Sequence, residues 1–269
     1  MSVTDQQKYY ILIFETMKTK FLCYSTLLLF CVPILMSAQT YQVFKGDTIN
    51  RIDKKGQRQG VWKKYYQNDT LFSVSTYKDG KRVGTYTTQY KTGKLQSRLA
   101  FRGATEVSDA LLFNEVGSVI ARGKYVGQER DSTWNFYDEQ GKLTSVERYS
   151  KGKKDGVCTD YYPDGKVARS ITFKGGKKTG LYAEYFTSGK TKIEGKMKDG
   201  DFEGVLKVYH PNGSLWEQGA YVNGLREGKW MTYSDDGKLE SEELFKSGKS
   251  LNPTIESDKP INVEDPAKN

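Results

Sequence analysis

The sequence predicts an all-β protein: an elongated array of about eight antiparallel β-hairpins. The first observation is a 24-residue period, because glycines recur at that spacing along most of the chain. The second is composition, since the 269 residues include 19 tyrosines and 27 glycines but only 36% hydrophobic residues. Such a composition favours strands joined by tight turns over helices around a thick core. The third is that no segment shows a convincing 3.6-residue apolar period.

Residues 1–38 are predicted to be a helical, cleavable signal peptide. A basic segment begins at Met17, residues 21–36 are mostly apolar, and small residues follow up to Ala38, which is the order found in secretory signals. Met17 is the expected start of translation. The apolar stretch of about 16 residues is short for a membrane span, although a retained anchor is the alternative. The protein is therefore expected to be exported, with a periplasmic, outer-membrane-associated or extracellular location.

The repeats are predicted to occupy residues 51–249, after a linker at residues 39–50. In one unit, residues 157–162 and 167–173 are strand candidates on either side of a turn that contains Gly165. This glycine is expected to need a positive φ, as in a type I turn closed by a bulge. The same column supplies the predicted structural turn glycines, which are Gly93, Gly117, Gly141, Gly165, Gly189, Gly213 and Gly237.

Aromatic residues form further columns at the same spacing. A single hairpin is marginally stable in water, so the hairpins are expected to lie side by side and to align each column into a ladder. The ladder aromatics are candidate contact residues for a partner, although most of them are also suited to a structural role. They are Trp134, Tyr137, Tyr161, Tyr185, Tyr209, Trp230 and Tyr233.

Two repeats depart from the pattern, and the period stops near the C terminus. Small residues, including Ser108 and Ala110, replace the expected glycines and aromatic between residues 103 and 123, and the repeat near Gly127 lacks its second glycine. A bend, a specialised surface and decay without purpose all remain open as explanations. Residues 250–269 contain three of the six prolines and are predicted to be a disordered tail.

The repeat units resemble the MORN repeat variant of bacterial secreted and cytoplasmic proteins. The resemblance rests on units such as residues 156–166 and 228–239, in which the glycine, aromatic and turn columns recur together, and it covers roughly residues 51–249. It implies an antiparallel meander. Proteins of this variant are often labelled antitoxin-like, and other MORN arrays are linked to membrane lipids and protein scaffolding. An export signal disagrees with an antitoxin role if the toxin acts in the cytoplasm.

The sequence carries no recognisable catalytic motif. It contains no nucleophile elbow, phosphate-binding glycine loop or HExxH. The sole histidine, His210, is expected to be a solvated strand-end residue, and Cys158 a buried core thiol, so neither a metal site nor a cofactor is expected. Asp160 and Glu184 share a column, but acids that recur along a repeat array reach the two-carboxylate spacing of a glycosidase without any catalytic role, so their spacing does not indicate an enzyme. The protein is therefore predicted not to be an enzyme.

Basic residues crowd the connections between hairpins, and the formal net charge is +9. They either are solvated and block edge pairing, or line an edge that attracts anionic lipid or polysaccharide. Nucleic acid is disfavoured because of the export signal. The leading hypothesis is a protein-binding or scaffolding module whose partner is an unknown protein or envelope component; the alternatives are a peripheral binder of anionic lipid and an antitoxin-like partner of a toxin. The residues concerned are Lys54, Lys55, Arg58, Lys81, Arg82, Lys153, Lys154, Lys177 and Lys178.

Overall fold

The computed structural model describes residues 38–251, which form one open antiparallel sheet of 21 strands. This confirms the predicted all-β class and hairpin meander for that part of the chain. Within those residues no helix is present that is long and apolar enough to cross a membrane. The predicted signal peptide, apart from its last residue, and the predicted tail beyond Leu251 lie outside the described residues.

The strands follow one another along the chain, and each pairs with the strand before it, except after the two-residue strands Lys153–Lys154 and Asp201–Phe202. Those two strands are bypassed, and the longer strands on either side of each pair directly. The strands are β1 (Thr40–Phe44), β2 (Asp47–Ile52), β3 (Arg58–Tyr65), β4 (Leu71–Lys78), β5 (Lys81–Gln89), β6 (Leu95–Phe101), β7 (Val107–Phe113), β8 (Val119–Val126), β9 (Glu129–Tyr137), β10 (Leu143–Ser150), β11 (Lys153–Lys154), β12 (Gly156–Tyr161), β13 (Val167–Lys174), β14 (Lys177–Tyr185), β15 (Thr191–Lys198), β16 (Asp201–Phe202), β17 (Gly204–Tyr209), β18 (Leu215–Val222), β19 (Leu225–Tyr233), β20 (Leu239–Lys246) and β21 (Lys249–Ser250).

The hairpin turns have the geometry that the glycine column predicts. In the β12–β13 turn, the Gly165 amide donates to the carbonyl of Tyr162 at 2.8 Å, and the Tyr162 amide donates to the carbonyl of Lys166 at 2.8 Å. All seven predicted turn glycines have a φ between 79° and 98°. In the first turn, Asp69 holds the equivalent position with a φ of 61°, which aspartate tolerates better than most residues.

The sheet begins earlier than expected. Residues 39–50, predicted to be a linker, include β1 and most of β2, and β2 also pairs with β3. The cause lies in two side chains: Ile49 is buried, and the Asn50 amide group bonds both the Lys63 amide (2.8 Å) and the Lys63 carbonyl (3.0 Å). At the other end, β21 includes Ser250, the first residue of the predicted tail.

The two divergent repeats behave differently. Between β6 and β7 the pairing runs without a register shift, and Ser108 is fully buried with no positive φ, so the bulge of the other repeats is absent there. Ser132, in contrast, keeps a positive φ of 59° where other repeats have glycine. The divergence at Ser108 therefore changes the backbone conformation, whereas the divergence at Ser132 changes the residue type and keeps the backbone conformation.

The core lies on one face of the sheet, which we call the inner face; it carries Ile171, Trp134 and Trp230. Each tryptophan covers a glycine of the neighbouring strand: a Cβ on Gly123 would lie 2.2 Å from the Trp134 ring, and one on Gly219 would lie 2.2 Å from Trp230. The opposite face, the outer face, is formed by the alternate residues of the same strands. The Trp134 column also includes the buried residues Ala110, Cys158 and Leu206, and the predicted burial of Cys158 is confirmed.

Candidate functional site

The seven candidate contact residues divide between the two faces. Trp134 and Trp230 lie on the inner face, where they are only 0% and 2% exposed. Their indole N–H groups donate to the backbone carbonyls of Lys124 (3.1 Å) and Ala220 (3.2 Å). These two residues therefore cannot contact a partner, and this part of the candidate set is wrong because both rings form the core.

The five tyrosines are partly exposed on the outer face. Their neighbours there show the placement: the Tyr209 hydroxyl donates to Glu194 at 2.6 Å, and the Arg122 guanidinium lies 5.6 Å from the Tyr137 ring centroid. Burial and the bond to Glu194 raise the pKa of Tyr209 to about 12, so its hydroxyl stays protonated at neutral pH. The tyrosine ladder comprises Tyr137, Tyr161, Tyr185, Tyr209 and Tyr233, all of intermediate exposure.

A row of exposed aliphatic side chains runs beside this ladder. Val157, Leu181 and Val205 are 47%, 68% and 58% exposed, and each lies four residues before a ladder tyrosine on the same strand. Residues four apart on a strand point to the same face, so this aliphatic row also lies on the outer face. These residues are not among the candidates predicted from the sequence, although their 24-residue spacing is visible there.

A shallow groove of about 520 Å³ lies at Leu181 and Val205. Glu194, Lys196 and Lys207 also line it, and Glu194 approaches Lys207 to 3.8 Å. The groove therefore combines apolar surface with charges of both signs.

A second open groove, of about 690 Å³, lies where the repeat pattern is broken. It spans β5 to β9, and small residues such as Ala100 and Gly123 form part of its lining. Arg98, Arg122 and Lys124 give it a cationic character. The divergent repeat thus coincides with a distinct surface.

The predicted basic stripe is interrupted. Arg58, Arg82 and Lys154 turn to the inner face, where their charged groups lie over aromatic rings; Arg82, for example, lies 4.3 Å from the Tyr86 centroid. Lys177 pairs with Asp199 at 3.1 Å. The exposed residues that share a column with Lys81 and Lys153 include Thr105, Glu129 and Asp201.

His210 locks adjacent hairpins together, contrary to the expectation that it is a solvated strand-end residue. It is partly buried, and its Nε2 lies 2.9 Å from the carbonyl oxygen of Tyr233, 23 residues further on. Tyrosines in the same column donate to equivalent carbonyls, and only the column alignment of the sequence could have indicated this role. These bonds join Tyr66 to Gln89 (2.8 Å), Tyr90 to Phe113 (2.7 Å) and Tyr162 to Tyr185 (2.6 Å).

Asp160 and Glu184, the two acids that share a column, bond to side chains of the sheet. Arg169 of β13 lies between Asp160 of β12 and Glu184 of β14 in the strand register. It donates two hydrogen bonds to Asp160, at 2.9 and 2.7 Å, and the Tyr182 hydroxyl donates to Glu184. Among residues 38–251, no group of three or more His, Cys, Asp or Glu side chains is placed to hold a metal ion.

Comparison with known proteins agrees with the repeat. The family model described as the MORN repeat variant matches residues 58–79, 154–174, 202–223 and 226–247, which are the β3–β4, β12–β13, β17–β18 and β19–β20 hairpins. No curated protein matches the chain. Among solved structures, an alternansucrase in complex with isomaltononaose is 15% identical with a TM-score of 0.16; the match covers 75% of this chain and 16% of that one, and supports no functional argument. The chain therefore contains MORN repeats of the variant type at these four places.

Proposed function

We propose that this chain is an exported, non-enzymatic repeat protein that binds another protein through its outer face, as a scaffolding module of the cell envelope. The observation that carries the proposal is the pairing of two rows on that face, the aliphatic row and the tyrosine ladder. Tyrosine and exposed aliphatic side chains supply contact area that a partner can desolvate, and tyrosine is enriched at binding hot spots.

The aliphatic row contributes little to the fold. Leu181 is 68% exposed, so folding removes only a minor part of its side chain from water. Equivalent residues of adjacent hairpins are two strands apart, about 10 Å, so the three-residue row extends over about 20 Å. That length suits an interface that buries about 800 Å² on each partner.

The charges around the row favour a protein over a membrane surface. Glu194 lines the groove together with Lys196 and Lys207, so an anionic bilayer would meet a carboxylate as well as the two cations. A protein surface with charges of both signs matches this arrangement better.

A matched pair of variants tests the proposal. Leu181→Asp places a charge in the aliphatic row, whereas Thr187→Asp places the same charge in the exposed turn after β14. Crosslinking to native envelope extract, followed by mass spectrometry, should identify a partner that the wild type and Thr187→Asp capture and Leu181→Asp loses. If Leu181→Asp captures the same proteins in the same amounts, the outer-face proposal is wrong.

Two further readouts separate the alternatives. Salt-sensitive pelleting with anionic liposomes that is equal in both variants would favour attachment to lipid. Capture of a toxin protein on co-expression in the cytoplasm would favour the antitoxin-like function.

Export is tested separately from binding. N-terminal sequencing of the protein from the native envelope should give Gln39 as the first residue. A protein that retains residues 17–38 would contradict cleavage and favour a membrane anchor.

A further inference from the structure

Two equivalent side-chain clusters on the inner face differ at their centre. The Glu147 cluster comprises Arg130, Trp134, Glu147, Tyr149 and Lys154. The Ser75 cluster comprises Arg58, Trp62, Ser75, Tyr77 and Arg82, each 72 residues, or three repeats, earlier. The strand registers agree, since Trp134 opposes Glu147 and Trp62 opposes Ser75. One cluster is therefore a structural template for the other.

In the Glu147 cluster a carboxylate satisfies the surrounding donors. Glu147 Oε1 accepts from Lys154 Nζ at 2.7 Å, and its Oε2 accepts from the Tyr149 hydroxyl at 2.5 Å. Arg130 donates to the Tyr149 oxygen at 3.2 Å. The partly buried cations of this cluster thus have an anion among them.

The Ser75 cluster keeps the cations and lacks the carboxylate. Arg58 and Arg82 both donate to the Tyr77 hydroxyl oxygen, at 3.1 and 3.0 Å. Two buried donors, Trp62 Nε1–H and Arg82 Nε–H, have no acceptor within the described residues. Nor does any ion pair in residues 38–251 involve Arg58 or Arg82. Arg58 is exposed and Arg82 partly buried, but the two unmet N–H groups are buried, and leaving such donors without a partner is costly, so an acceptor is expected here.

The same residues bound a small cavity of about 50 Å³. Ser73 and Ser75 line it with hydroxyl groups and are only 5% and 6% exposed, and Lys64 adds a third cation to the lining. This space exceeds what one water molecule needs and suits a small polyatomic ion.

We propose that the Ser75 cluster binds a tetrahedral oxyanion, a phosphate or sulfate group, whose oxygens take the place that the Glu147 carboxylate fills three repeats later. The two guanidinium groups supply charge-assisted hydrogen bonds, and the buried hydroxyls and the Trp62 N–H supply neutral ones. Phosphate is the shared chemistry of a free ion and of a phosphate monoester on a larger molecule.

The environment of Tyr77 provides an independent readout. Burial opposes ionisation of Tyr77, but Arg82 and Arg58 outweigh it and hold its pKa below the usual value. A bound anion neutralises these charges, so saturating phosphate should move the ionisation of Tyr77 to higher pH in an ultraviolet titration.

The decisive variant is Ser75→Glu, which supplies the carboxylate from within the chain. Thr85→Glu is its matched control, because Thr85 is exposed on the outer face of β5 and adds the same charge away from the cavity. In calorimetric titration with inorganic phosphate at low salt, the wild type and Thr85→Glu should bind one ion per chain. Ser75→Glu should bind at least about tenfold more weakly, since its carboxylate occupies the donors.

Trp62→Phe provides a second test of the site in case the Ser75→Glu variant does not fold. It removes one donor and no charge, so phosphate binding should weaken by a few-fold while the circular dichroism spectrum is unchanged. Separate titrations with sulfate and with glycerol phosphate show whether the free ion or a monoester binds more tightly; binding of either supports the site.

Two outcomes overturn the proposal. The first is no saturable binding of phosphate, sulfate or glycerol phosphate to the wild-type protein, which would mean that water alone fills the cavity. The second is equal binding by the wild type and a folded Ser75→Glu variant, which would place the anion elsewhere.

Discussion

The inner and outer faces of the sheet are built from alternate residues of the same strands, yet they are suited to different tasks. On the inner face, Trp134 is fully buried under Tyr125 and Arg130, with ring centroids 4.9 Å apart and the guanidinium at 4.8 Å. On the outer face, Leu181 and Tyr185 are exposed or partly exposed. Alternate residues of one strand can thus stabilise the sheet on one face and remain available for binding on the other. A register shift of one residue would convert a contact residue into a core residue.

The largest difference between the faces is expected on truncation of a side chain. Trp134→Ala should lower the free energy of unfolding by about 3–5 kcal/mol, because it empties the centre of the core. Leu181→Ala, its outer-face counterpart, should change it by less than about 0.5 kcal/mol. Urea denaturation of both variants measures this, and equal losses would show that the two faces are not distinct.

The glycine beneath Trp134 should give the next largest effect. A methyl group on Gly123 would lie 2.2 Å from the indole, so Gly123→Ala should destabilise by about 1–3 kcal/mol through overpacking. In a Trp134→Leu background the same substitution should cost clearly less, because the smaller side chain leaves room. Additive losses in the double variant would contradict direct contact.

The bond between adjacent hairpins should have a smaller effect. Tyr162→Phe removes the hydroxyl that donates to the Tyr185 carbonyl at 2.6 Å, and it should cost about 1 kcal/mol. Tyr161→Phe on the outer face is the control, because the Tyr161 hydroxyl has no hydrogen bond among the described residues and its loss should be neutral. The urea midpoints of the two variants should therefore differ. Coincident midpoints would show that the Tyr162 column does not stabilise the contact between adjacent hairpins.

The smallest expected difference between the faces is in the loss of folding stability at alkaline pH. Burial and the bond to Glu184 raise the pKa of Tyr182 to about 12, and burial and Glu194 do the same for Tyr209. A raised pKa favours the neutral phenol in the folded state, so this stability is complete below the unfolded pKa of about 10 and is lost as pH rises to about 12. Tyr182→Phe should flatten the decline more than Tyr209→Phe, because solvent screens the outer-face pair more strongly. Identical profiles for the two variants would contradict this ranking.

The sequence was sufficient to predict the repeat, but not to predict on which face of the sheet each side chain lies. The column of Gly165 predicted the turns correctly, because only a positive φ explains glycine at that place in successive units. The same period could not separate Tyr137 from Trp134, since both recur in columns of aromatic residues and a bulge near each turn shifts the register. Equal spacing reports equivalence between repeats, not the direction in which a side chain points.

Contacts that cross from one repeat to the next were also missed. The position of Arg82 beside a turn suggested a solvated cation, whereas Arg82 lies in β5, and its guanidinium lies over the Tyr86 ring and donates to the Tyr77 hydroxyl. His210 likewise appeared to end a strand in solvent, because its acceptor, the Tyr233 carbonyl, lies 23 residues away. Residues 39–50 carry no repeat signature and join the sheet through Ile49 and Asn50, which a search for the period cannot detect.

Hydroxyl-radical footprinting of the native protein tests the two-face arrangement most directly. The ladder tyrosines and Leu181 on the outer face should be oxidised readily, whereas Trp134 and Trp230 should be protected despite the higher intrinsic reactivity of tryptophan. Unfolding in urea should remove the protection and provides the internal reference. Oxidation of both tryptophans in the native protein at the rate seen in urea would contradict the inner core on which the account depends.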